Sequence, residues 1–256
     1  MNDMQMILEP PSLPPAFSFY PVDGDDNPMR TAVEIASGTE DATGAVVQAM
    51  RPDRLDCAIV LNPEVPLVEA LKIMPTAFVT LNDALGSIIP PQIAVTWGWP
   101  DRLMINHALA GGFCFAAPEG LKIDTVADWS VVRIVLDIHG SPDVETRAPG
   151  ERTSLAHEGC VDIGPRDIIE SFTRHFLSWI NRWQDAGFEP IRENATGRLE
   201  GLQDRIDFDL PGGRIKGRLL ELDSQAGLVV SRDGKRRIAP MKWIMKGQGW
   251  TLDAPS

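Results

Sequence analysis

The stretch that most constrains the fold of this chain is Val95–Phe115, in which two extended patterns are separated by a Trp-Pro-Asp corner. Apolar residues alternate with small or polar ones before the corner, as in a strand with one buried face. Pro100 cannot donate a hydrogen bond to a neighbouring strand, so the first strand ends there. The residues after the corner predict a hairpin with a tight turn at Asn106-His107.

Two consecutive glycines, Gly111 and Gly112, lie in the returning strand of this hairpin. A residue without a side chain lets another group approach the backbone closely. The sequence leaves two alternatives for that group, which are a bound ligand and a neighbouring strand.

The charge of the chain is large and uneven. Its 256 residues are 43% hydrophobic, which suits one large or two small globular domains. A net charge of −12 argues against nucleic acid as the main partner, because phosphate binding needs a basic face. Residues 201–256 hold 10 Lys and Arg against 7 Asp and Glu, a net charge of +3 that leaves −15 for residues 1–200. This change of sign predicts a domain boundary near residue 200.

The three cysteines, Cys57, Cys114 and Cys160, show neither metal-ligand nor disulfide spacing, so we interpret them as small buried hydrophobic residues. The histidines show no zinc-ligand spacing either, and we expect no metal ligands among the histidines and cysteines. No apolar run reaches the roughly 18–20 residues of a membrane helix. The acidic, Pro-rich beginning does not resemble a signal peptide, and the expected location is cytoplasmic, with no membrane partner.

Residues 1–30 carry six prolines and predict an extended arm with little regular structure.

Two helices are predicted from apolar stripes in the sequence. A stripe over Leu67–Leu85 predicts a long helix that Pro75 could kink. A second helix is predicted over Pro165–Ala186, because proline suits a first helical turn and Gly187 suits the position after the last one.

The remaining predicted elements are strands. Ala45–Val47, Cys57–Leu61 and Trp129–Ile138 read as buried strands of the same domain. After residue 200, short strands and frequent turns predict a small barrel. The strands predicted for it are Ile206–Leu210, Gly217–Leu222, Gly227–Ser231, Arg236–Pro240 and Gly249–Leu252. The predicted fold class is therefore α+β, with a mixed or antiparallel sheet covered by the two helices and followed by the barrel.

The central stretch also carries a family resemblance. Trp99-Pro100-Asp101, Ile105-Asn106 and Leu109-Ala110-Gly111 together resemble the Lys-Trp-Pro-Asn-Asp…Val-Asn-Gly-Lys-Lys-Leu-Ala-Gly segment of biotin protein ligases and lipoate ligases. The order of elements is similar over roughly residues 30–250. The resemblance implies a class II synthetase-like sheet with an SH3-like barrel behind it. We expect the arm at 1–30, the ligase-like domain at 31–198 and the barrel at 199–256.

The chain departs from the family pattern where the family carries its chemistry. Gly98 stands where the family has a catalytic lysine, and Lys72 and Lys122, which could replace it, are expected at the surface. The family's Gly-Arg-Gly-Arg-x-Gly-Arg loop is reduced to a short segment that contains Arg51 and Arg54. In the strand that the family writes Trp-Val-Val-Gly-Ile-Gly-Ile-Asn-Val, two glycines and the asparagine are replaced by Arg133, Val135 and Asp137. These departures predict a divergent member.

The resemblance implies a set of site residues that border one cavity. Asp101 is the catalytic candidate, to hold magnesium or nucleotide, with a turn carboxylate as the alternative. Asp137 either meets Arg133 or faces the pocket. The ligand-binding candidates are Arg51, Arg54, Trp97, Gly98, Trp99, Pro100, Gly111, Gly112 and Asp137.

Two functions remain open at this point. In the first, the protein uses ATP and magnesium to activate a carboxylic acid of the biotin, lipoate or octanoate class and transfers it to a carrier-protein lysine. In the second, a non-catalytic relative binds an acid or a partner protein. The expected partners are such an acid and a carrier protein, with a homodimer left open and no nucleic acid.

Overall fold

The computed structural model describes residues 10–38, 42–140 and 151–246. Its helices are α1 (Pro28–Gly38), α2 (Leu67–Ala70), α3 (Ile73–Gly86), α4 (Pro165–Ala186) and α5 (Glu189–Gly197), with a 3₁₀ helix at Met241–Lys246. The first seven strands are β1 (Ser18–Val22), β2 (Ala45–Ala49), β3 (Arg54–Leu61), β4 (Val95–Gly98), β5 (Arg102–Ile105), β6 (Ala108–Ala116) and β7 (Ser130–Asp137). The last four are β8 (Arg205–Leu210), β9 (Gly213–Leu222), β10 (Leu228–Arg232) and β11 (Lys235–Ala239).

The strands form two sheets. The larger sheet has seven strands in the order β1-β2-β3-β7-β6-β5-β4, and the smaller has four in the order β11-β10-β9-β8. β1 runs parallel to β2, whereas the other neighbours in both sheets are antiparallel. The predicted α+β class with a mixed sheet is therefore confirmed.

Alternation along the central strands gives the large sheet two different faces. Leu55, Cys57 and Ile59 of β3 join the main core, which includes buried residues of α3 and α4. Ala58 and Val60 point to the opposite face, where they form a smaller cluster with residues of α1. That helix contacts β2, β3 and β7. One face is thus covered along its length by helices, and the other is covered by α1 at one end.

The hairpin of the central stretch forms as predicted. β4 ends at Gly98, before the proline corner, and β5 and β6 flank a two-residue turn. Both turn residues have positive φ, 47° at Asn106 and 68° at His107, which is the backbone geometry that a two-residue hairpin turn favours.

The long helix expected over Leu67–Leu85 is instead two helices, α2 and α3. Pro75 has no N–H to donate to the carbonyl of Leu71, so a continuous helix would lose a hydrogen bond there. The break places Pro75 in the first turn of α3, where a missing donor costs little. The second long helix has the predicted bounds, Pro165–Ala186.

The expected N-terminal arm also contains more regular structure than its prolines suggested. Ser18–Val22 forms β1, and Pro21 is tolerated there because β1 is an edge strand. Pro28 begins α1. Part of the described arm, Ser18–Val22, thus belongs to the sheet.

The residues after 200 form the small antiparallel sheet that was predicted as part of a barrel. The predicted strand Gly249–Leu252 lies outside the described residues. Trp99 joins the two sheets, because its indole Nε1 donates a hydrogen bond to the carbonyl of Ala226 at 3.0 Å.

Candidate functional site

Charged side chains gather on the sheet face that α1 covers in part. Arg54 and Asp56 of β3 alternate with core residues, and the register places Arg54 opposite Asp137 and Asp56 opposite Val135 of β7. Arg133 of β7 shares this face. We call the region formed by Arg54, Asp56, Arg133, Asp137 and Arg152 the charged sheet face.

The first ion pair of this face is buried. Arg133 donates through Nε and Nη2 to both carboxylate oxygens of Asp56, each at 2.8 Å. The two side chains are 9% and 7% exposed. Such a pair satisfies both charges, and removal of one partner leaves the other buried and uncompensated.

A second cluster surrounds Asp137, which is 1% exposed. Arg54 donates to one of its oxygens at 2.7 Å, and Arg152 approaches the other at 3.3 Å. The Nε of Arg152 is buried and has no hydrogen-bond partner among the described residues. Three arginines against two aspartates give the charged sheet face a net charge of +1, which favours an anion.

The interpretation of Asp137 as an ion-paired residue is supported, but Arg133 is not its partner. Four positions along one strand are about 13 Å apart, whereas directly opposed residues on neighbouring strands lie about 5 Å apart. Asp137 therefore pairs across the sheet with Arg54, and Arg133 pairs with Asp56. Arg152 was missed from sequence because it lies in a loop that reaches β6 through a bridge to Leu109.

The two glycines of β6 are closely approached by neighbouring backbone. A Cβ on Gly111 would lie 2.0 Å from the carbonyl oxygen of Val135, and one on Gly112 would lie 2.4 Å from that of Asp101. Asp101 is 1% exposed, and its carbonyl accepts a hydrogen bond from the N–H of Phe113 at 2.8 Å. Of the two alternatives left by the sequence, strand packing accounts for both glycines.

The tryptophans of the central stretch lie in different surroundings. Trp97 is fully buried and stacks on Phe78 of α3, with ring centroids 5.6 Å apart, so it belongs to the core and not to a shared cavity. Trp99 follows at the junction of the two sheets, before the buried Pro100. Gly98, Trp99 and Arg102 line a cavity of about 240 Å³ between the sheets.

Arg51 lines a different cavity from these residues. It binds Asp53 through two hydrogen bonds and lines a cavity of about 650 Å³ with Gln48 and the first turn of α4. Gln48 shares the sheet face of Cys57, so this cavity opens on the α4 side of the sheet. The structure thus brings together Arg54 with Asp137 and Asp101 with Gly112, and it places Arg51 and Trp97 elsewhere.

No lysine lies in the seven-stranded sheet. The six lysines of the chain are Lys72, Lys122, Lys216, Lys235, Lys242 and Lys246. Lys72 is not at the surface as expected, because it is 6% exposed, pairs with Glu69 at 2.5 Å and lies over the ring of Phe188. Arginine therefore supplies the positive charge of the charged sheet face.

The described residues contain no group of three or more His, Cys, Asp or Glu side chains placed to hold a metal ion. Among them, no helix is both long and apolar enough to cross a membrane.

Comparison with known proteins assigns the chain to a class of protein. A profile of the Biotin/lipoate A/B protein ligase family matches residues 13–196, which is more than half of the chain. The chain belongs to this family.

Individual relatives agree with that assignment. The chain is 22% identical over 192 residues to a biotin–[acetyl-CoA-carboxylase] ligase of Paracoccus denitrificans, covering 74% of this chain and 78% of the relative. A biotin protein ligase-like protein of unknown function from Silicibacter sp. TM1040 is 30% identical, with a TM-score of 0.81 over 92% of this chain and 99% of the other. The biotin protein ligase of Aquifex aeolicus, solved also with biotin and ATP, shares the fold at 14% identity, with a TM-score of 0.71 over 87% and 95% of the two chains.

Proposed function

We propose that this protein is a ligase-like enzyme that binds a carboxylic acid of the biotin or lipoate class at the charged sheet face. It would activate the acid with ATP to form an acyl-adenylate, from which a lysine of a carrier protein takes the acyl group with release of AMP. The observation that carries the proposal is the surplus positive charge around Asp137, with the buried Nε of Arg152 as a donor.

The chemistry explains why this charge matters. ATP, supplied with magnesium, provides the adenylyl group, and the attack of the acid oxygen on the α-phosphate releases pyrophosphate. Both this step and the attack of the lysine pass through anionic centres, which fixed donors in a dry site stabilise. Arg152 would orient the substrate carboxylate by a charge-assisted hydrogen bond. Asp101, buried beside Gly112, is proposed to position the nucleotide.

A second candidate function is favoured by the ion pairs. Arg133 is already neutralised by Asp56, and Arg54 is paired with Asp137. An arginine so engaged offers less charge to a phosphate than a free one. In this alternative the protein binds an acid or a carrier protein and does not perform ATP chemistry.

One experiment separates the two functions. Pyrophosphate exchange into ATP is measured with biotin, lipoate and octanoate, beside a thermal-shift measurement with each acid. The enzyme predicts acid-dependent exchange that is lost in Arg152→Gln and in Asp101→Asn. A rise in melting temperature without exchange identifies the binding protein. If the folded protein gives neither exchange nor a rise in melting temperature, both functions are excluded for these acids.

A further inference from the structure

The small sheet carries a second concentration of positive charge, away from the charged sheet face. A cavity of about 610 Å³ opens on this sheet. Five cationic side chains and one acidic side chain, Asp233, line it, whereas the chain as a whole has a net charge of −12. The five are Arg214, Lys216, Arg232, Lys235 and Arg237. We call this cavity the basic cavity.

The cations of the basic cavity differ in how they are engaged. Arg214 and Lys216 both bind Asp207, at 2.7 and 2.8 Å. Lys235 and Arg237 are exposed and form no ion pair with any described acidic residue. Arg232 forms a longer ion pair with Asp233, at 3.8 Å, which is exposed and weak. Lys235 and Arg237 are therefore the cations most available to an anion, with Arg232 beside them.

The register explains why Arg232, Lys235 and Arg237 meet. Arg232 lies opposite Lys235, and Val230 lies opposite Arg237, on neighbouring antiparallel strands. Directly opposed side chains share a face, so the cations continue the face on which Val230 enters the core. The face thus changes from apolar to cationic along β10 and β11.

An aromatic ring completes the cavity. Trp243 of the 3₁₀ helix lines it together with the buried residues Ile215 and Ala239. The ring lies directly over Gly212, where a Cβ would come within 2.1 Å of it, so the backbone fixes its position. The basic cavity therefore combines a positioned aromatic ring and apolar residues with a cationic rim.

We propose that the basic cavity binds a small phosphate-bearing ligand with a planar ring, of the nucleoside diphosphate class. Charge complementarity selects the phosphates, and the apolar lining with Trp243 receives the ring. The volume lies in the range of small-molecule sites. A nucleic-acid strand needs a continuous path of free cations, but Arg218 is bonded to the carbonyl of Gln203 and Arg236 pairs with Glu221.

Neighbouring arginines provide a matched test. Arg237 lines the basic cavity, whereas Arg236 precedes it on the same strand, points to the other face and does not line it. Calorimetric titrations of the full chain use ADP, pyrophosphate and a single-stranded oligonucleotide as probes. We expect wild type to bind ADP more tightly than pyrophosphate, and Arg237→Gln to weaken both by about tenfold. Arg236→Gln should leave both affinities within about twofold.

Further variants keep the result decisive. Lys235→Gln replaces Arg237→Gln if the latter does not fold, as judged by its thermal melting curve. Arg152→Gln, on the charged sheet face, should leave ADP binding at the basic cavity intact, whatever its effect on the acid. The inference is overturned if neither ADP nor pyrophosphate binds, or if Arg236→Gln weakens binding as much as Arg237→Gln. It is equally overturned if Arg152→Gln alone abolishes ADP binding, or if the oligonucleotide binds more tightly than ADP.

Discussion

Arg133 and Asp56 show how one buried ion pair sets the chemistry of a sheet face. β7 supplies a long cation there, and the neighbouring strand β3 supplies its carboxylate. We predict that Arg133→Leu lowers the free energy of unfolding by about 3–5 kcal/mol, because Asp56 stays buried without a partner. Urea unfolding followed by circular dichroism measures this change.

The control for that prediction is a partly exposed ion pair. Arg166 and Glu170 lie four residues apart on α4, with side chains 42% and 22% exposed. Arg166→Leu should cost less than about 1 kcal/mol. Equal losses of unfolding free energy in the two variants would show that the stability contributed by the Arg133–Asp56 pair does not depend on its burial.

The cysteines give a second prediction at the residue scale. Burial raises the pKa of the Cys57 and Cys160 thiols, whereas Cys114 is half-buried. A higher pKa leaves less thiolate, so a thiol reagent at pH 8 should modify Cys114 first and Cys57 after unfolding. Mass spectrometry of partially labelled protein identifies the order. Modification of Cys57 in the native protein as fast as Cys114 would contradict the buried position.

At the scale of elements, the packing of β6 against its neighbours depends on its glycines. We predict that Gly111→Ala and Gly112→Ala each destabilise the protein by about 1–3 kcal/mol, because the added Cβ would overlap a carbonyl of β7 or of the Trp-Pro-Asp corner. A Cβ added to Gly86, at the end of α3, would meet no atom within 4 Å outside its own helix backbone and chain neighbours. Gly86→Ala should therefore change stability by less than about 1 kcal/mol. Thermal unfolding compares the three. Stable Gly111→Ala and Gly112→Ala variants with lost acid binding would instead assign the glycines to a ligand.

The elements also show what the sequence could and could not predict. Alternation identified the central hairpin and the buried strand at Trp129–Ile138, because a period of two is visible in any half-buried strand. β1 was not predicted because it contains Pro21. A proline is tolerated in an edge strand, and only the assembled sheet shows that β1 is at the edge. The break between α2 and α3 could have been predicted from the sequence, because a proline such as Pro75 is compatible with the first turn of a new helix as well as with a kink.

The site was predicted less completely than the fold. Arg54 and Asp137 could be named from one family resemblance, but their pairing requires the register between β3 and β7. Arg152 joins the charged sheet face through the contact of its loop with Leu109 of β6, and no local sequence pattern predicts that contact. Contacts between residues distant in sequence therefore decide the chemistry of this face.

At the scale of the whole molecule, the two sheets are held together partly by Trp99. Its hydrogen bond to the carbonyl of Ala226 crosses from the Trp-Pro-Asp corner to the small sheet. We predict that Trp99→Phe costs about 1 kcal/mol or more and speeds proteolysis between the sheets, near the proposed boundary at 198–199. Limited proteolysis with mass spectrometry tests this. Cleavage as slow as in wild type would show that other contacts hold the small sheet.

The most direct measurement of the central claim is acid binding at the charged sheet face. Calorimetric titration with biotin, lipoate and octanoate compares wild type with Arg152→Gln and with Arg174→Gln, which alters an exposed arginine on α4. We predict that at least one acid binds wild type, that Arg152→Gln weakens this binding by about tenfold and that Arg174→Gln does not. Binding of none of the acids, or equal affinities for the wild type and Arg152→Gln, would contradict the claim.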